Sequence, residues 1–244
     1  MTKLIQRFAL QTFQRMGFDL TRYRPEDSAR ARLDRTLAHF GIELLLDVGA
    51  NTGQYAQSVR RSGYRGRIVS FEPLRSAHSQ LAINAASDPL WQVHERCAVG
   101  NAPGEIDINV SGNSVSSSIR PMLSLHKDAA PDSTYVGTER VKMISLDSVF
   151  PACRTRNEVT FLKIDTQGYE REVIEGAAAS LAAVKAIQLE LSLVPLYEGQ
   201  ALWEFFFADL ARRGFKVWAF MPGLADPRTG QSLQVEAIFY RAGA

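Results

Sequence analysis

Cysteine is scarce in this chain. Cys97 and Cys153 are the two present, far apart and in no C-x-x-C spacing. That excludes a disulfide framework and a zinc cluster, and it fits a reducing cytosol. A metal site of another kind is not expected either, because no tight His/Asp spacing occurs. No apolar run reaches the length of a transmembrane helix. The opening stretch MTKLIQRFALQTFQRMGF is interrupted by Gln6, Arg7, Gln11 and Gln14, so it lacks the apolar core of a signal peptide. A cytoplasmic protein is therefore expected. Charge of one sign is not in excess: the net charge is +2, and no global field argues for a nucleic-acid partner. Repeats and low-complexity tracts are absent. So is the G-x-G-x-x-G fingerprint of a nicotinamide or flavin site, for after Gly49 the later glycine positions hold Asn51 and Gln54.

What is present is an alternation of strand and helix patterns. A length of 244 residues suits one α/β domain with an N-terminal piece. We divide the chain into a helical appendage, 1–40, and a domain, 41–244. In the appendage Leu4, Ile5, Phe8, Ala9, Phe13 and Met16 fall on one helical stripe. Such a helix packs on the domain or on a second subunit as a homodimer contact; with Lys3, Arg7 and Arg15 the alternative is weak contact with a membrane surface. A second helical pattern covers about 27–40, opened by Pro25-Glu26-Asp27-Ser28.

From ELLLDV (43–48) onward, apolar runs read as buried parallel strands: RIVSF (67–71), WQVHERCAV (91–99), EVTFLKID (158–165) and KAIQLEL (185–191). EIDINV (105–110) and RVKMIS (140–145) flank a long polar stretch. Helical patterns lie between the main runs, in GQYAQSVRRSGY, LRSAHSQLAINAAS, GYEREVIEGAAASL and ALWEFFFADLARRG. The alternation implies a doubly wound, mostly parallel, Rossmann-like α/β sheet. FKVWAF (215–220) and VEAIFY (235–240) have no crossover helix between them and read as an antiparallel pair.

Ligands of such sheets bind beyond the C-terminal strand ends. After the first strand comes DVGANTGQY, where Asp47 ends the strand and Gly49 and Gly53 let backbone approach a ligand. Ala50, Asn51 and Thr52 fill the loop between them. After the second strand comes FEP. Glu72 stands about where an acidic residue grips a ribose, with Pro73 behind it; its alternative is to cap the next helix. After the third, Ala98 and Val99 are small enough to bound a flat adenine, or are an ordinary buried strand end. Together Asp47, Gly49, Gly53 and Glu72 point to a nucleoside ligand.

The blocks LLLDVGANTGQY, SFEP, CAVGNAPGEI, FLKIDTQGYEREVIEGA, IQLELS and VEAIFYR, in that order from about 41 to 241, resemble the FkbM-type S-adenosylmethionine-dependent methyltransferases. The D-x-G-A-x-x-G loop is generic to class I methyltransferases; the KIDxxGxE block is much more specific. The resemblance implies a seven-stranded sheet with a reversed C-terminal strand and S-adenosylmethionine as cofactor. It also implies methyl transfer to a hydroxyl oxygen, commonly of a sugar, glycolipid or polyketide-like natural product. A serine-rich segment such as GNSVSSSIRPM (112–122) recurs in such proteins, which puts Ser117 beside the donor or acceptor; a flexible solvated loop is the plain alternative.

Strand alternation puts Phe161, Lys163 and Asp165 on one face of their strand, and Gln188 and Glu190 on one face of the next. If these faces coincide, Lys163, Asp165, Gln188 and Glu190 form a polar cluster beside the donor loop, the lysine keeping carboxylates charged. An alcohol must lose its proton as it attacks a methyl carbon, and a positioned carboxylate can take it. Asp165 is the leading base, placed against both donor and acceptor. Glu190 and His126 are second choices, His126 lying in a polar stretch (111–138) able to fold over the site. Asp165 as a structural salt bridge to Lys163 is the competing reading. At the level of the whole protein, the alternatives are a non-catalytic S-adenosylmethionine-binding partner subunit and an RNA or protein methyltransferase.

Overall fold

In the computed structural model, which describes residues 2–18, 28–155 and 157–242, the chain opens with two helices, α1 (Thr2–Arg15) and α2 (Ala29–His39). Then follow β1 (Leu44–Val48), α3 (Gln54–Arg61), β2 (Arg67–Phe71), α4 (Arg75–Ala85) and β3 (Trp91–Val93). The middle holds β4 (Ala98–Gly100), β5 (Gly104–Ser111), α5 (Ser124–Ala129), β6 (Tyr135–Ser145) and α6 (Leu146–Cys153). The last third is β7 (Thr160–Ile164), α7 (Glu170–Glu175), β8 (Val184–Ser192), α8 (Trp203–Arg212), β9 (Phe215–Pro222) and β10 (Gln234–Arg241).

Seven strands form one sheet in the order β3-β2-β1-β7-β8-β10-β9. β10 runs antiparallel to both β8 and β9, and the remaining pairs are parallel. This is the mostly parallel sheet with a reversed C-terminal strand that the sequence pattern and resemblance implied. The apolar runs sit where both faces are covered, so β1 and β7 are buried throughout. On one face Leu46, Leu162 and Leu189 pack with α6, α7 and α8 through Phe150, Val173 and Phe206. On the other, Leu45, Phe161 and Ala186 pack with Leu37 of α2, Val59 of α3 and Leu81 of α4. Leu33 and Leu37 thereby make α2 part of the sheet's own core. Ser28 caps α2 by accepting from Ala31 N; the expected Pro25 to Asp27 start lies outside the described residues.

The structure corrects one strand. WQVHERCAV is not continuous: β3 pairs with β2, but β4 joins a separate three-stranded sheet, β4-β6-β5. Polar residues in the run mark the departure. Glu95 is exposed, and Arg96 reaches out to Pro73 O and the Glu139 carboxylate. β5 and β6 are antiparallel partners. α6 begins directly at the end of β6 and carries Pro151, and sequence patterning did not mark it.

α1 is helical as expected, but its described side chains are not packed on the domain. Phe8 is 74% exposed, and Phe13, Met16 and Phe18 are exposed as well. Among the described residues no helix is long and apolar enough to cross a membrane.

The small sheet meets the end of α7 through a close backbone approach. A Cβ on Gly176, at the end of α7, would stand 1.9 Å from Gly100 O in β4. No positive φ is involved, so the effect of a methyl group there is purely steric. Gly176→Ala should therefore cost about 1–3 kcal/mol by overpacking, read as a lowered urea midpoint; an unchanged midpoint would mean that α7 and β4 are not held this tightly.

Candidate functional site

The tips of β1, β2, β4 and β7 converge on a cavity of about 520 Å³, within the range of small-ligand sites. The β1 tip contributes Gly49, Ala50 and Asn51 to its wall. Gly49 has φ +77, and a Cβ there would stand 1.9 Å from Asp165 O, so only glycine lets the β1 and β7 tips close up. Asn51 is itself left-handed, at φ 48, and its side chain donates to Ser114 Oγ at 3.2 Å. Thr52 and Gly53 do not line the cavity. Gly53 starts α3 with φ +89 and is packed under Trp91 and Leu81, which is a structural use of that glycine.

Glu72 lines the cavity at the end of β2 and is held by two backbone donors. Asn51 N gives 2.7 Å to Oε2, and Leu74 N gives 2.8 Å to Oε1. The helix-capping reading is thus realised at the start of α4, yet each oxygen keeps a lone pair for a ligand. Burial pushes this carboxyl up to about 7, against the pull of the two N–H groups. Pro73, Ala98 and Val99 line the wall beside it, together with Ile108, giving a largely apolar slot.

The serine segment folds over the cavity. Ser114, Val115, Ser117 and Ser118 line it, and Ser117 Oγ accepts from Ser111 N at 2.9 Å. Ser118 Oγ donates to Gln167 O at 2.6 Å, while Arg120 donates to Gly168 O and pairs with Glu172 at 2.6 Å. The segment is therefore bolted to the loop after β7. His126, by contrast, is not brought to the cavity. It is buried in α5 with its ring edge-on to Tyr197 at 5.0 Å, and burial pushes its imidazole down. A proton acceptor facing the cavity is not what this residue offers.

The expected polar cluster is present. Parallel register sets Lys163 beside Asp47 on one side and Gln188 on the other. Lys163 Nζ lies 3.2 Å from Asp47 Oδ1 and 3.5 Å from Asp165 Oδ2, and it donates to Gly49 O at 3.1 Å. Burial alone would push the ammonium down, but Asp47, Asp165 and Glu236 hold it above its usual range. Asp47 is fully buried behind the wall; Lys163 and Asp165 line it. Glu190 lies behind Asp165, its carboxyl held well above the usual range by burial and by neighbouring carboxylates.

Three members of this site went unnoticed in the sequence. Gln167, at φ 54, donates through Nε2 to Asp165 Oδ1 at 2.7 Å and Glu190 Oε2 at 2.8 Å, and its Oε1 accepts from Tyr197 OH at 2.7 Å. Tyr55 places its ring 5.4 Å from Lys163 Nζ and donates to Gln188 Oε1 at 2.7 Å. Glu236 of β10 reaches the wall because antiparallel register sets it opposite Glu190. Its signal was the alternation of VEAIFY, which puts Glu236 and Ile238 on one face. Among the described residues no group of three or more His, Cys, Asp or Glu is arranged to hold a metal ion.

Residues 47–217 match the model of the family described as Methyltransferase FkbM domain. No curated protein matches the chain. Among solved structures, the O-methyltransferase TomG from Streptomyces achromogenes, involved in tomaymycin synthesis and in complex with SAM, is 12% identical. The alignment covers 97% of this chain and 89% of that one, with a TM-score of 0.50. Magnesium protoporphyrin IX methyltransferase (ChlM) from Synechocystis PCC 6803, with bound SAM, is 10% identical over 96% of this chain and 91% of that one, TM-score 0.44. The first likeness is one of fold.

The buried pair makes its own prediction. Lys163→Met leaves Asp47 an uncompensated charge in the core and should cost about 3–5 kcal/mol. Adding Asp47→Asn to the same chain should recover most of that loss in urea unfolding. Equal midpoints for Lys163→Met and wild type would show that Asp47 does not depend on the lysine.

Proposed function

The chain belongs to the FkbM methyltransferase family, and from that premise we propose that it transfers a methyl group from S-adenosylmethionine to a hydroxyl oxygen of a small molecule, a sugar, glycolipid or natural product. One observation carries the donor half of this reading. Glu72 stands on the cavity wall with both oxygens fixed by backbone N–H groups and still able to accept from two adjacent hydroxyls, as a ribose would present. The slot of Pro73, Ala98, Val99 and Ile108 beside it suits a flat base, so the residues present fit the nucleoside.

When bound, the donor supplies an electrophilic methyl carbon whose bond to sulfur breaks with the electron pair staying on sulfur, while a new carbon–oxygen bond forms to the acceptor. The chain's own residues supply the rest. The β1 loop and the serine segment enclose the site, so orientation of the acceptor is set by walls rather than by solvent. Asp165, 30% exposed in its side chain and held by Lys163 and Gln167, faces the cavity as the group that takes the hydroxyl proton. Lys163 Nζ stands 3.5 Å from Asp165 Oδ2, and both residues line the cavity. Among the described residues the wall carries this one cation and no arginine, which favours a small acceptor over a polyanion such as RNA.

Glu72 must be ionised to accept from ribose hydroxyls, and in the free protein it is pushed up to about 7. Ligand hydroxyls favour the charged form, so binding should release a proton near neutral pH. Affinity for S-adenosylhomocysteine should then fall by up to about tenfold between pH 8 and pH 6. Calorimetry in buffers of different ionisation enthalpy reads both effects. Glu72→Gln should bind more weakly at pH 8 and show no pH dependence. Tight binding to wild type that Glu72→Ala leaves intact would sink the donor assignment.

A further inference from the structure

The end of the cavity away from Glu72 is walled by Tyr55, Lys163, Asp165, Gln167 and Glu236. Its charges do not balance. Among the described residues Lys163 is the one cation of the wall, and its ammonium is spent on Asp47 at 3.2 Å, on Gly49 O at 3.1 Å and on the Tyr55 ring. Asp165 stands at a looser 3.5 Å from it. Glu236 has no cation within ion-pair distance among the described residues. Its one hydrogen bond comes from Gln188 Nε2 to Oε2 at 2.9 Å. The other end of the amide, Gln188 Oε1, accepts from Tyr55 OH, and a flip would turn that oxygen toward the carboxylate and lose the bond. Oε1 of Glu236 therefore accepts nothing within the protein while its residue lines the cavity. Behind it, Glu190 Oε2 accepts from Gln167 and Gln234, both neutral amides, and among the described residues no cation stands within ion-pair distance of it.

We propose that Glu236 is a specificity-determining residue that favours the positively charged methyl donor over its neutral, demethylated product. The proposal rests on the donor reading above. A carboxylate with an unpartnered oxygen in an enclosed wall attracts a cation far more than it would in water. The donor carries a sulfonium; the product carries a neutral thioether in the same place and is otherwise the same ligand. The remaining contacts, to Glu72 and the apolar slot, are shared by both. The wall's excess negative charge therefore acts on the difference between them. It does not help the chemical step, since positive charge disperses as the methyl group leaves and ground-state attraction is lost in the transition state. Its benefit is to turnover: the site loses its hold on the ligand once transfer has occurred.

The experiment is calorimetric titration of the full chain with S-adenosylmethionine, S-adenosylhomocysteine and sinefungin, which bears an ammonium where the donor has its sulfonium. The readout is the ratio of the Kd for S-adenosylhomocysteine to the Kd for S-adenosylmethionine. In Glu236→Gln that ratio should fall about fivefold or more, with S-adenosylhomocysteine bound as in wild type and sinefungin weakened in step with the methyl donor. Glu236→Asp, which keeps the charge but draws it back, should give an intermediate ratio. Unchanged ratios, or equal weakening of all three ligands, would overturn the proposal and leave the donor site standing. Failure of wild type to bind any of the three would overturn both. If Glu236→Gln does not fold, Glu236→Asp decides alone, a lowered ratio supporting the proposal and an unchanged one overturning it.

Discussion

One ammonium holds the site together. Lys163 lies in the middle of a buried strand, where a charge is costly unless compensated, and it is compensated from three directions: Asp47 on β1, Asp165 after β7 and the carbonyl of Gly49. These groups belong to two pieces of backbone, the end of β1 with its loop and the tip of β7. Their convergence on a single Nζ fixes how far the β1 loop stands from the β7 tip. The absence of a side chain on Gly49 sets the same distance sterically, through its contact with Asp165 O. Electrostatics and packing thus specify one geometry, and the cavity is the space that this geometry leaves.

The Glu72 end of the cavity follows from that arrangement. With the β1 loop pinned, Asn51 N points at Glu72 and fixes the carboxylate from one side while the start of α4 fixes it from the other. The Asp165 end follows too, by a longer chain of contacts. Asp165 is tied through Gln167 to Tyr197, and the backbone of Gln167 receives Ser118. The serine segment is therefore not an independent flap. It is fastened to the same tip that carries Asp165, so displacement of one must strain the other.

Much of this was legible in the sequence because strand parity is a strong constraint. A residue spacing of two puts Lys163 and Asp165 on one face, and the same rule on the neighbouring strand offers Gln188 and Glu190. Parallel order then brings them together without further information. What was not legible depended on register or on irregular backbone. Glu236 joins the cluster only because β10 is antiparallel and paired so that it opposes Glu190; a shift of one residue would have turned it to the other face. Gln167 is itself a left-handed turn residue, and Tyr55 reaches Gln188 from α3 across the sheet face; neither follows from periodicity. WQVHERCAV misled for a related reason. Its ends are both strands, but they belong to different sheets, and only the polar Glu95 and Arg96 mark the crossing.

His126 shows where residue type alone fails as a guide. A histidine in a polar stretch near an active site invites a catalytic role, yet the stretch folds so that its apolar residues, Met122 and Leu125, form a small core with Tyr197 and Leu233, and the imidazole is carried inward beside them. Burial then disfavours the charged ring that a working base must pass through. The carboxylates of the cluster meet the opposite condition. They are numerous for one lysine, and burial raises the affinity of Glu190 and Glu236 for protons. Under the function proposed above, such a wall would take a proton from a hydroxyl without a histidine, beside a donor whose positive charge it would attract. The excess of carboxylate over ammonium makes the cluster costly to fold, and a bound cation would relieve that cost.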